Sequence, residues 1–230
     1  MQDQSNLWFF EGVDLYNVLC PHKVKRMADD HEFSNYKKGD YIYFPDEPAN
    51  HIYLISDGRI KVGSFNNDGK EMVKAILSKG EIFGEMGLAG EEKRGDFAQA
   101  MDDNVRICQL NIEDMKELMR DNQPLSLNMI KLIGWRLRKV ERRIEGLVHK
   151  DAKTRVIEFL TELADEKGQK VGFETMIKNH FTHKDIASLT GTSRQTVTTI
   201  LNELREKNVI TFDRRRILIR DVEKLSEEAA

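Results

Sequence analysis

The chain has 230 residues, 40% of them hydrophobic, with four Pro, two Cys and a formal charge of −3. That is long enough for two domains with cores of their own, and the absence of any low-complexity tract argues against a disordered protein. No run of eighteen apolar residues occurs and the start MQDQSNLWFF lacks a basic segment leading into an apolar core, so the expectation is a cytoplasmic protein with no membrane association. Cys20 and Cys108 are too few and too distant for a zinc motif or a four-cysteine cluster, and both read as packing residues. A haem ligand from Cys20-Pro21-His22 would need a second ligand pattern that the chain does not supply.

From Phe33 to Ile112, short runs of Tyr, Ile, Val, Leu and Phe alternate with turn residues: YIYF, HIYLI, RIKVGSF, KEMVKAIL and EIFGEMGL. Gly39, Gly58, Gly69 and Gly80 fall in the gaps, Asn67-Asp68-Gly69 is a hairpin signal, and the spacing predicts a compact β-roll or barrel. Rolls of this kind also house metal-dependent enzymes, but those need clustered imidazoles. Only His51 lies within the strand runs, so no catalysis and no metal are expected.

Beyond Pro124, Ile130, Ile133, Leu137, Val140, Ile144 and Leu147 step by alternating threes and fours. This is the a and d pattern of a two-stranded coiled coil, and Arg136, Arg138, Lys139, Glu141, Arg142, Arg143 and Glu145 keep the stripe narrow. The reading is a parallel homodimer with a seam roughly 26 Å long at 1.5 Å per residue.

The segment Thr182 to Leu201 has the pattern of a helix-turn-helix. With His183 as first position, Ile186 is fourth, Ala187 fifth, Gly191 ninth, Val197 fifteenth and Ile200 eighteenth. A larger side chain at Ala187 would part the helices, Gly191 can end the first of them with a positive φ, and the three apolar residues face inward. Arg194, Gln195, Thr198 and Thr199 are left as candidate base readers, with Thr182, Lys184, Ser193 and Thr196 as candidate phosphate contacts at helix starts. Two apolar runs around Asp213 to Arg216 then predict a wing that offers Arg214 and Arg215 to a phosphate backbone. Charge agrees, since Ala152 to Arg220 holds thirteen Lys and Arg against nine Asp and Glu within a chain that is acidic overall.

In this order, roll, helix and winged helix-turn-helix resemble the cyclic AMP receptor protein and fumarate-nitrate regulator superfamily of bacterial transcription factors. The resemblance covers nearly the whole chain. It is carried by DGKEM after a hairpin, by Ile82-Phe83-Gly84-Glu85-Met86-Gly87-Leu88 with Arg94 downstream, by the seam helix and by TSRQTVTTILNELREKNVI. It implies an α+β fold with a cyclic-nucleotide-binding-like jelly roll over 1–122, a dimerisation helix over 123–150 and a winged helix-turn-helix over 151–230. It further implies a homodimer on an inverted repeat in double-stranded DNA, working with RNA polymerase. In relatives the positions of Arg194, Gln195 and Thr199 read each half-site, and Thr199 stands where cyclic AMP receptors carry an arginine.

The resemblance also marks an effector pocket at Gly84, Glu85 and Arg94, closed by Val140 and Glu141 of the helix. Here the chain departs from cyclic AMP binders. Gly95 and Asp96 follow Arg94 where a serine is usual, and Val140-Glu141 replaces a Thr-Ser pair that touches adenine. A carboxylate about 4 Å from the cyclic phosphate, at an effective dielectric near 20, would repel it by about 4 kcal/mol. A bound cyclic nucleotide is therefore disfavoured, and no cofactor is expected. An ion pair of Arg94 with Glu85 or Asp96, bracing the roll, is the simpler role. The readings left as alternatives are a cyclic-nucleotide-gated regulator and a signalling module whose C-terminal domain meets a protein.

Overall fold

The turn residues cut the front of the chain into eight strands: β1 Ser34–Tyr36, β2 Tyr41–Tyr43, β3 His51–Asp57, β4 Arg59–Phe65, β5 Glu71–Ser78, β6 Ile82–Phe83, β7 Phe97–Ala100 and β8 Val105–Asn111. Gly39, Gly58, Gly69 and Gly80 all sit in the turns with positive φ, as their spacing suggests. The computed structural model describes residues 33–178, 181–213 and 216–229. Cys20, Pro21, His22, Arg214 and Arg215 lie outside the described residues.

The strands form two antiparallel sheets of order β1-β8-β3-β6 and β2-β7-β4-β5, the interleaving of a jelly roll. Alternate residues point between the sheets, so Tyr43, Tyr53, Ile55, Ile60, Val62, Phe83, Ala98, Val105 and Ile107 make one core. Cys108 is buried on β8 and acts as a packing residue. Asn111 accepts from the Glu113 amide at 2.8 Å and starts α1, Ile112–Asp121.

Helix α2 runs from Gln123 to His149, about 40 Å at 1.5 Å per residue. The chain divides into two compact units inside it, between Gly134 and Trp135. In the first unit Leu125, Met129 and Leu132, spaced by four and three, are buried along one face.

The second unit continues with α3 Ala152–Lys167, β9 Gln169–Val171, β10 Glu174–Lys178, α4 His183–Thr190, α5 Arg194–Glu206, β11 Ile210–Phe212, β12 Arg216–Ile219 and α6 Val222–Glu227. The wing is larger than the sequence suggested. Four antiparallel strands in the order β11-β12-β10-β9 back the helices, and Ile177 of β10 joins Val156, Ile157, Leu160, Ile186, Val197, Leu201, Leu204, Ile217 and Leu225 in the core. Helix α3 pairs with the end of α2 through Lys139–Glu166 at 2.7 Å and Arg142–Glu162 at 3.4 Å, and with Lys150 just beyond it through Lys150–Glu158 at 2.6 Å.

Candidate functional site

Helix α4 starts at a capping box. The Asp185 amide donates to Thr182 Oγ1 at 3.2 Å, and the Asp185 carboxylate accepts from the Thr182 amide at 2.8 Å and from its hydroxyl at 2.7 Å. It ends at Gly191, whose φ of 64° is left-handed. That backbone conformation favours glycine, and a Cβ there would also lie 2.5 Å from Leu147 Cδ2, whose side chain would have to move aside. After this tight turn Ser193 caps α5, its hydroxyl accepting from the Thr196 amide at 3.0 Å. Ala187 is buried at the crossing, and α5 buries Val197, Ile200, Leu201 and Leu204 at helical spacing.

That burial turns Arg194, Gln195 and Thr199 outward, all three exposed on the first turns of α5. Thr198 differs from the open reader that its spacing suggested. Its hydroxyl donates to the Arg194 carbonyl at 2.9 Å and meets His183 Nδ1 at 2.8 Å. With its one proton given to the carbonyl, the hydroxyl must accept from Nδ1–H, which fixes the imidazole tautomer. Burial, and then the Arg194 charge, hold the His183 pKa below the usual imidazole value. The imidazole also stands edge-on to Phe212 of the wing at 6.1 Å. Asn202, half-buried, continues the outer row of Gln195 and Thr199. The sequence reading stopped at Thr199 and missed it, although the i, i+3, i+4 step would have found it.

The candidate phosphate contacts divide in the same way. Lys184 is exposed. The Thr182 hydroxyl is held by Asp185, and those of Ser193 and Thr196 meet each other at 2.8 Å, so Thr182 and Ser193 cap the two helices and Thr196 is tied to the second cap. The wing turn closes through the Asp213 amide to the Arg216 carbonyl at 3.0 Å, on either side of Arg214 and Arg215.

In the roll, the expected ion pair of Arg94 is absent. Its guanidinium is buried and donates to the carbonyls of Gly84, at 3.0 Å, and His51. It also lies 4.5 Å from the Tyr43 ring centroid and 5.5 Å from that of Tyr53, while buried Nε has no hydrogen-bond partner. Neither Glu85 nor Asp96 comes within ion-pair distance, because Asp96 turns to Lys74 at 3.8 Å and to the Tyr43 hydroxyl. Burial raises the Asp96 pKa against the opposing pull of Lys74. Burial, with Asp96 beside it, likewise raises that of the Tyr43 phenol. Gly84 adopts a φ of 78° and a Cβ there would sit 2.8 Å from Arg94 Nη1, so glycine lets the arginine lie against the chain. Glu85 is buried on the 3₁₀ turn Glu85–Ala89.

On α2 the six stripe residues are all exposed in the single chain, from 42% at Ile133 to 65% at Ile130. They form a continuous apolar ridge that the chain itself leaves open to solvent. Val140 belongs to it and Glu141 is exposed next to it. Among the described residues no cluster of three metal-ligating side chains occurs, and no helix is long and apolar enough to cross a membrane.

Comparison with known proteins matches this layout. A cyclic nucleotide-binding domain model fits residues 33–122 and a Crp-like helix-turn-helix domain model fits 154–228. The global nitrogen regulator of Nostoc sp. is 28% identical over 84% of this chain and 87% of its own length. The cyclic AMP receptor protein of Thermus thermophilus is 29% identical over 95% of this chain and 98% of its own. Among solved structures, a mutant of CooA from Carboxydothermus hydrogenoformans superposes with a TM-score of 0.77 at 28% identity, covering 100% of this chain and 98% of that one.

Proposed function

The chain belongs to the cyclic AMP receptor protein and fumarate-nitrate regulator superfamily and is a DNA-binding transcription regulator, and from that premise we propose that it works as a homodimer that reads an inverted repeat without cyclic AMP. The observation that carries the proposal is the division of α5. Val197, Ile200, Leu201 and Leu204 anchor it, which leaves exposed Arg194 and Gln195 to enter a major groove. Arg194 donates two hydrogen bonds to guanine O6 and N7, and Gln195 serves adenine or cytosine. Thr199 and Asn202 flank them, while Lys184 and the wing arginines grip phosphate. The apolar ridge of α2 supplies the two-fold contact, so that two copies address neighbouring helical turns. The homologues are transcription regulators and no catalysis is assigned; the protein acts in the cytoplasm, with RNA polymerase as its partner in transcription.

The effector reading rests on Arg94. In an empty anion site a guanidinium should point at open space, whereas this one lies against Tyr43 and donates to two carbonyls, with the Asp96 carboxyl nearby. An incoming cyclic phosphate would have to displace those contacts and meet a second negative charge. The opposite reading, gating by a cyclic nucleotide, is favoured by the domain model over 33–122 and by the Thermus relative's name.

Selection from a randomised inverted-repeat library, with and without cyclic AMP, tests both points. The expected product is a paired half-site with G at the Arg194 position, selected equally well in either condition. Recovery of half-sites lacking G removes Arg194 as reader, and enrichment only with cyclic AMP restores the gated reading.

A further inference from the structure

Three donors from two helices converge on the end of α4. The last carbonyls of a helix have no partner within it, and they carry the negative end of its dipole. In α4 the Ala187 carbonyl is taken by the Thr192 amide at 2.9 Å. The Thr190 and Gly191 carbonyls accept from Arg155 of α3, at 2.8 Å from Nε and 3.2 Å from Nη2. The Ser188 carbonyl accepts from Arg143, which comes not from the reading head but from the seam helix. One turn further along α2, Leu147 Cδ2 fills the space beside Gly191.

Arg143 sits off the a and d positions, between Val140 and Ile144, and is half-buried. Burial lowers its guanidinium pKa, the sign of a charge partly withdrawn from water. A long flexible side chain gives up its rotamer freedom there, and it does so at the hinge of the helix-turn-helix itself. By contrast the ion pairs of α2 with α3 are at least partly solvated, which makes each of them weak.

We propose that Arg143 is a positioning residue: it clamps the seam helix to the turn of the helix-turn-helix and so sets the angle at which each reading head leaves the dimer. The proposal takes the DNA-reading dimer as given. A rigid clamp in both copies fixes the distance between the two recognition helices, and with it the half-site spacing that the dimer accepts.

The test measures fluorescence anisotropy of wild type, Arg143→Ala and Arg143→Lys on the selected operator, on operators with the spacer lengthened or shortened by one base pair, and on an isolated half-site. Arg143→Ala is expected to sediment as a dimer and to bind the half-site as wild type does. It should lose tenfold to about a hundredfold on the full operator, the worth of a charged hydrogen bond, and discriminate poorly among spacers. Arg143→Lys, which keeps a charged donor, should recover part of the loss. Unchanged spacer discrimination in Arg143→Ala overturns the clamp, as does an equal loss on half-site and full site, which would mean a damaged head. If wild type binds no DNA, the regulator reading is what has failed. The clamp is then judged without DNA, from the distance between spin labels on Glu223→Cys of the two copies. A narrow distribution that broadens in Arg143→Ala supports it, and an unchanged one overturns it.

Discussion

Arg94 and Arg194 carry the same guanidinium into opposite surroundings. Arg94 is buried in the roll, laid over two tyrosine rings and bonded to two carbonyls. Arg194 is exposed at the first turn of α5, where burial of its neighbours has already been achieved by other residues. Both carry a positive charge in a region that family resemblance associates with phosphate or bases, yet only the second stands open to an incoming group. A binding role depends less on residue type than on whether the chain has already satisfied the side chain.

Breaking the two-fold contact should have the largest effect, because both heads depend on it. Leu137→Asp places two like charges across the seam and removes about 2 kcal/mol of burial per copy, so sedimentation should show self-association weakened about a thousandfold, and operator binding should go with it. Next, Arg194→Ala should cost about 1 to 3 kcal/mol on the selected operator and flatten its base preference, whereas Lys184→Ala should weaken every sequence alike and lower the salt slope by about one. Equal, uniform losses from both would remove the distinction between reader and gripper.

The roll offers the converse experiment. Gly95 has open space around its Cβ position, so Gly95→Ser combined with Asp96→Ala can restore the hydroxyl and remove the carboxylate without a clash. Calorimetry should then detect a gain in cyclic AMP affinity of about tenfold or more, since the repulsion removed is of the order of a few kcal/mol. No gain would mean that the rings and carbonyls around Arg94, not Asp96, exclude the ligand. The smallest effect is in the head. His183 has a depressed pKa, so the unfolded chain takes up the proton first, and stability should fall as pH drops from the ordinary imidazole value of 6.5 towards the folded one. In His183→Gln, thermal melts between pH 7 and pH 5 should lose that slope.

The architecture was legible because it rests on local periodicities: glycines at the hairpin turns, the alternating threes and fours from Ile130 to Leu147, and small residues at Ala187 and Gly191. What remained hidden depended on contacts distant in sequence. Strands β9 and β10 are too short for a run to stand out, and the pairing of β10 with β12 only exists once the chain has folded back. The fate of Arg94 was set by Tyr43 and His51, which lie more than 40 residues earlier and which no spacing rule connects to it. Thr198 looked available because its helical position is right. Its hydroxyl is taken by a histidine fifteen residues earlier, across the turn.

Asp185 has one more bearing on how the protein treats a long polyanion. By accepting from the Thr182 amide and hydroxyl, this carboxylate already occupies the electropositive tip of α4 that a stray phosphate would otherwise seek. What the proposed grip on phosphate can use at this helix start is therefore the exposed Lys184 side chain, since the amide and hydroxyl of Thr182 are already spoken for.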